Sequence, residues 1–183
     1  ISGKYKGKKI FLPQDNYTRP LKDIVKESIF NVIEHSNKIS FSIKNSTVLD
    51  LFSGSGSFGL EAISRGAKNV IFVEKYSKVI PILKKNINHL KCDEQCELSN
   101  IDCFEFFNQK KKSQSSFDII FLDPPYKDKN LENLLNEIKT QKILNKKGII
   151  ILHRQKNEQD FFPPCFKLIE ERKYGVSKII FFT

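Results

Sequence analysis

From Thr47 onward the chain alternates short apolar runs with stretches of helical spacing, and that alternation restricts the fold more than any other property of the sequence. Apolar runs stand at Val48–Phe52, Val70–Val73, Cys96–Leu98, Phe117–Leu122 and Ile149–Leu152. Between them, helical periodicity falls near Phe58–Arg65, Ser77–Leu90, Asp102–Phe107 and Leu131–Lys139. A strand, helix, strand succession packs as a right-handed crossover, so the repeat predicts an α/β protein built on a doubly wound parallel sheet. The tail departs from the pattern. Two apolar strands flank Tyr174 and Gly175 with no room for a helix, which predicts a closing antiparallel pair at one sheet edge.

Ahead of the repeat, Gly3–Leu12 interleaves lysines with Tyr5 and glycine before an apolar run, a pattern that predicts a small basic hairpin. Leu21, Ile24, Val25, Ile29, Phe30, Val32 and Ile33 then recur at helical spacing behind Pro20, predicting a helix to about His35. Residues 36–46 are polar and punctuated, like a linker. The expected division is an N-terminal hairpin-and-helix extension over 1–45 and the main α/β domain over 46–183.

Composition excludes several classes. With 39% hydrophobic residues and 16 Phe the chain can bury a core that disordered sequences lack, and no apolar run approaches the roughly 18 residues of a membrane span. A soluble, cytoplasmic protein is expected, and a monomer. Cys92, Cys96, Cys103 and Cys165 follow no disulfide ladder and have no histidine at finger spacing, so reduced thiols and no metal are expected. The sequence holds no Met, which places any initiator ahead of Ile1. Lys plus Arg exceed Asp plus Glu by 31 − 21 = 10. That excess favours a polyanionic partner, although a solvated lysine-rich surface would account for charge alone.

Asp50, Phe52, Gly54, Gly56 and Gly59 mark the passage from a buried first strand to a helix, where doubly wound sheets bind nucleotides. Glu74 ends the second strand 24 residues after Asp50, where a carboxylate can accept ribose hydroxyls. The spacing Gly54, Gly56, Gly59 formally matches a dinucleotide loop. Asp50 argues for a different ligand: an acid at the strand end repels a pyrophosphate and attracts a cationic sulfonium and amino-acid moiety, as in S-adenosylmethionine. Asp102, after the third strand, suits either an adenine amino group or a helix N-cap.

Asp123, Pro124, Pro125 and Tyr126 close a buried strand, beside the glycine loop. Two prolines remove two backbone donors, leaving the Asp123 carboxylate and the Pro124 carbonyl as acceptors at one small site. An exocyclic base amine is a poor nucleophile because its lone pair is delocalised into the ring. Two acceptors on its hydrogens would sharpen it, with Tyr126 stacking on the base.

These motifs, in this order, resemble those of class I S-adenosylmethionine-dependent amino-methyltransferases. Gly3–Lys9, Thr18–Pro20, Lys26–Asn31 and Leu60–Ala67 resemble more narrowly the RsmD family, 16S ribosomal RNA guanine-N2 methyltransferases. The resemblance implies a Rossmann-like, mostly parallel seven-stranded sheet with an antiparallel C-terminal strand, plus the basic N-terminal hairpin. It implies 16S rRNA or a small-subunit particle as partner, and Lys4, Lys6, Lys8, Lys9 and Arg19 on its phosphates. Two departures concern RNA docking: Leu21–Ile24 stands where Thr-Thr-Asp-Arg is usual, and His153 replaces a glutamate common near the end of the fifth strand. His153 and Arg154 are expected to add positive charge to the rim. The alternatives are adenine-N6 methylation of DNA or RNA, weakened for DNA by the lack of a target-recognition domain, and a non-catalytic RNA-binding assembly factor, for which a damaged loop or Asp123 would be expected.

Overall fold

The computed structural model describes residues 1–14, 21–39, 41–110, 116–125, 130–159 and 161–183. Arg19 and Tyr126, both singled out from the sequence, lie outside the described residues. After a 3-10 turn at Gly3–Tyr5, the elements are α1 (Asp23–His35), β1 (Thr47–Leu51), α2 (Ser57–Ser64), β2 (Asn69–Val73), α3 (Ile80–Leu90), β3 (Cys96–Ser99), α4 (Cys103–Lys110), β4 (Phe117–Leu122), α5 (Leu131–Thr140), β5 (Leu144–Gln155), β6 (Leu168–Tyr174) and β7 (Ser177–Phe182). They form a seven-stranded sheet in the order β3-β2-β1-β4-β5-β7-β6. The pairs among β1 to β5 are parallel, and β7 runs antiparallel to both β5 and β6.

Period-two alternation sorts the side chains into two cores. Val48, Val70, Phe72, Ile119, Phe121, Ile149, Ile151, Ile179 and Phe181 pack on one face, with α1, α2 and α3. Leu49, Leu51, Ile71, Ile120, Leu122, Ile150, Leu152, Ile180 and Phe182 pack on the other, with α4 and α5. Phe58 of α2 stacks between Phe30 of α1, at 5.1 Å, and Phe121 of β4, at 4.0 Å between centroids. Each such ring contributes roughly 1.5–3 kcal/mol by leaving water. Through this stack α1 is anchored on the same core as the sheet. Gly59 lets α2 lie close to β2, since a Cβ there would stand 2.4 Å from Phe72 Cε1 and 2.7 Å from Val70 Cγ1.

The lysine-rich opening corrects one expectation: residues 1–14 contain the 3-10 turn but no strand, so there is no hairpin. The interleaved aromatic decides the outcome. Tyr5 is buried, its amide donates to Ser64 Oγ at 2.9 Å, and the Ser2 amide donates to Glu61 Oε1 at 2.9 Å, so the segment docks on α2 instead of pairing with itself. Further along, Asn86 of α3 accepts from the Phe11 amide at 2.7 Å and donates to the Phe11 and Ser55 carbonyls, each at 2.9 Å. The segment therefore runs from the C-terminal end of α2 towards the glycine loop.

Candidate active site

Strand order reverses between β1 and β4, and the loops leaving the carboxyl ends of these strands diverge around a crevice, as expected at the switch point of a doubly wound sheet. A cavity of about 460 Å³ fills it, lined by Asp50, Phe52, Gly54, Glu74, Asp123 and Pro124 among others. Six residues picked from three separate stretches of sequence thus meet at one place. Gly56 and Asp102 do not line the cavity. Gly56 caps α2 in the left-handed conformation, at φ 82°. Asp102 caps α4, its Oδ1 accepting from the Phe104 amide at 2.9 Å while Lys75 Nζ stands 3.3 Å from Oδ2.

Asp50 is fully buried. Its Oδ2 accepts from the Gly59 amide at 3.0 Å, at the start of α2, and its Oδ1 has no hydrogen-bond partner among the described residues. Burial holds the carboxyl well above the usual carboxylate range; the Gly59 amide pulls the other way, and the charges of Asp123 and Glu74 add to the rise. An unpartnered carboxyl oxygen at the wall of a cavity, its charged form disfavoured for want of a counter-charge, is a place for a cation.

The loop is held from the β2 side. Glu74 Oε2 accepts from the Gly54 amide at 2.8 Å and Oε1 from the Tyr76 amide at 2.7 Å, leaving each oxygen a further lone pair. Gly54 sits at φ 53°, so its amide can point at Glu74 without steric cost. Phe52 adopts φ 64°, an uncommon conformation for a bulky residue, and faces the cavity.

His153, which the sequence assigns to the rim, lines the cavity instead. His153 Nδ1 lies 2.8 Å from Asp123 Oδ1, and Nε2 lies 3.0 Å from Ser177 Oγ. His153 is 6% exposed and Arg154 4%, so neither adds charge to an open rim as expected. Arg154 instead donates from Nη1 to the Pro125 carbonyl at 3.3 Å, bracing the Asp-Pro-Pro turn. A usable signal was available. Ile149, Ile151 and His153 share a parity, as do Ile119, Phe121 and Asp123, so adjacency of β4 and β5 puts both polar residues on one face.

Lys4, Lys6, Lys8 and Lys9 are exposed, and the ammonium groups of Lys4 and Lys8 stand 5.3 and 5.5 Å from the Tyr5 ring centre. Their segment begins at the C-terminal end of α2, whose N-terminal end faces the cavity. Eight residues of helix span about 12 Å, so the first of these lysines lie about that far from the site.

Comparison with known proteins bears on this geometry. The sequence profile of the family described as conserved hypothetical protein 95 matches residues 1–183. Ribosomal RNA small subunit methyltransferase D of Haemophilus influenzae is 34% identical over 177 residues, covering 96% of this chain and 88% of the relative. The Escherichia coli protein of the same name is 30% identical over 176 residues, covering 96% and 84%. The solved structure of Escherichia coli yhhF matches with a TM-score of 0.84 at 27% identity, covering 100% of this chain and 94% of that one.

Proposed function

The chain belongs to the conserved hypothetical protein 95 family, and on that premise we propose that it is an S-adenosylmethionine-dependent ribosomal RNA methyltransferase whose target is the exocyclic N2 amine of a guanine in small-subunit RNA. One observation carries the reading: a buried carboxyl with an orphaned oxygen and an Asp-Pro-Pro turn line one cavity. When bound, S-adenosylmethionine supplies a methyl group activated by a sulfonium. Asp50, Phe52, Gly54 and Glu74 are the residues that would hold it, and the unpartnered oxygen of Asp50 suits its cationic end.

Asp123 and the Pro124 carbonyl act on the amine. As acceptors of its two hydrogens they return electron density to a nitrogen whose lone pair is otherwise shared with the ring. Orientation supplies the rest, since transfer between two bound groups needs mainly that they be held in line. A base in structured RNA must turn out of its stack to reach the turn, and Tyr126 is proposed to stack on it. Lys4, Lys6, Lys8, Lys9 and Arg19 are proposed to hold phosphates, which positions the RNA but does not read its sequence.

The deciding experiment is methyl transfer from labelled S-adenosylmethionine to unmodified small-subunit RNA and to small-subunit particles, followed by nucleoside digestion and mass identification. N2-methylguanosine at one site is the expected product. N6-methyladenosine would retain the acceptor chemistry and refute the guanine assignment; binding without any product would refute the enzyme.

A further inference from the structure

We propose that His153 is a positioning residue for the transfer: it fixes one oxygen of Asp123 and so aims the other at the substrate amine. This rests on Asp123 being the amine acceptor. In the sheet order β4-β5-β7, three side chains of one face stand side by side: Asp123 beyond the end of β4, His153 near the end of β5, and Ser177 at the start of the antiparallel β7. All three line the cavity. His153 and Ser177 are buried, whereas the Asp123 side chain is 21% exposed. The row therefore runs from the closed interior to the place where a substrate arrives.

The chemistry of the contacts assigns the protons. An ionised carboxylate can only accept, so the His153 nitrogen 2.8 Å from Asp123 Oδ1 carries hydrogen; in the neutral ring Nε2 is then an acceptor, and the Ser177 hydroxyl donates to it across 3.0 Å. Asp123 Oδ2 has no hydrogen-bond partner among the described residues. A lone carboxylate turns broadly about its last torsion and presents two equivalent oxygens. With Oδ1 held by a ring that is itself held by Ser177, the lone pairs of Oδ2 are left at one place in the cavity.

The proton balance is compatible with this arrangement throughout. As the amine nitrogen forms its bond to the methyl carbon, the bond from that carbon to the sulfonium breaks and its electron pair goes to sulfur, leaving a neutral thioether. The nitrogen gains positive charge, one N–H bond breaks, that electron pair returns to nitrogen, and the proton passes to Asp123 Oδ2. The neutral acid then presents Oδ1 as a carbonyl oxygen, which still accepts from His153. No proton has to move on the ring, and Asp123 is exposed enough to release its own to water.

Asparagine and leucine branch alike at Cγ, but only asparagine offers an N–H where the Nδ1–H stands. The test compares His153→Asn with His153→Leu, using S-adenosylhomocysteine affinity and thermal midpoint to verify the fold; His153→Ala replaces leucine if leucine is not accommodated. His153→Leu is expected to lower kcat roughly 10- to 100-fold with cofactor affinity and the KM for RNA within about threefold, the scale of a misplaced reacting group. His153→Asn is expected to recover most of that loss. Equal kcat for the two variants overturns the proposal. A readout independent of turnover is the ring nitrogen spectrum of labelled histidine, in which Nδ1 of His153 should be protonated; an unprotonated Nδ1 also overturns it. Asp123→Ala is assayed alongside: if that variant keeps its rate, the reading of Asp123 has failed, whereas a dead Asp123→Ala beside a fully active His153→Leu removes His153 alone.

Discussion

Two carboxylates stand at the carboxyl ends of neighbouring strands on one face of the sheet, and their surroundings are opposite. Asp50, at β1, is sealed from water with one backbone amide on one oxygen and nothing on the other. Asp123, after β4, is partly open to solvent and has an imidazole on one oxygen. Burial pushes the Asp50 carboxyl up, because a charge there has lost water without gaining a cation. On the proposed function the difference divides the work: the first acid meets the cationic end of the cofactor, while the second, braced by His153, meets hydrogen-bond donors.

The largest effect should separate the two at once. If Asp123 is the acceptor proposed for the amine, Asp123→Ala should lower kcat roughly 100- to 10,000-fold, with S-adenosylmethionine affinity by calorimetry unchanged. Loss of affinity as large as the loss of rate would erase the distinction between the two acids.

Asp50→Asn should do the reverse. Affinity for S-adenosylmethionine should fall by about 30-fold or more, as when one member of a buried charge pair is removed. The pH dependence of stability follows from the raised carboxyl: the folded protein keeps a proton that the unfolded chain releases, so Asp50 costs stability as pH climbs past the ordinary value of 3.8. Measured without cofactor, the thermal midpoint of Asp50→Asn should therefore match that of the parent near pH 4 and exceed it increasingly towards neutrality. A midpoint that drops at neutral pH would show that the charge is not the liability.

How much of this was legible in sequence depends on how local each signal is. The strand that carries Asp50, the glycines after it and Glu74 were readable because apolar runs and turn chemistry act within a few residues. The sheet followed from the same runs, and β5 extends beyond Ile149–Leu152 on both sides: residues 145–148 fall in an irregularity of its pairing with β4, and His153–Gln155 pair with β7. From sequence alone His153 belongs to the rim, because a single polar residue at the end of an apolar run carries no partner in sequence. Asp123 lies 30 positions away and becomes its neighbour only once β4 and β5 are paired. The opening failed for a related reason: lysines and glycines around Tyr5 predict a small hairpin, and nothing local says that the Tyr5 amide bonds to a helix 59 residues on.

The smallest expected effect tests whether substrate holding is separate from both acids. Lys4, Lys6, Lys8 and Lys9 are exposed on a segment that starts at the far end of α2 from the cavity, so replacing all four by Ala should leave cofactor affinity untouched, and kcat at saturating RNA as well. What should change is RNA affinity, by about tenfold at moderate salt, and its dependence on ionic strength. Each phosphate contact contributes about 0.7 to 0.9 to the slope of log affinity against log salt, so losing four should flatten it by about 3. A slope that flattens by only about 1 would leave a single lysine on the RNA and direct attention to the residues nearer Phe11, where Asn86 joins this segment to the Ser55 carbonyl of the glycine loop. A full change in slope together with a lower kcat would mean that RNA held along α2 also sets the geometry at Asp123, and the two acids could then no longer be treated as independent of substrate grip.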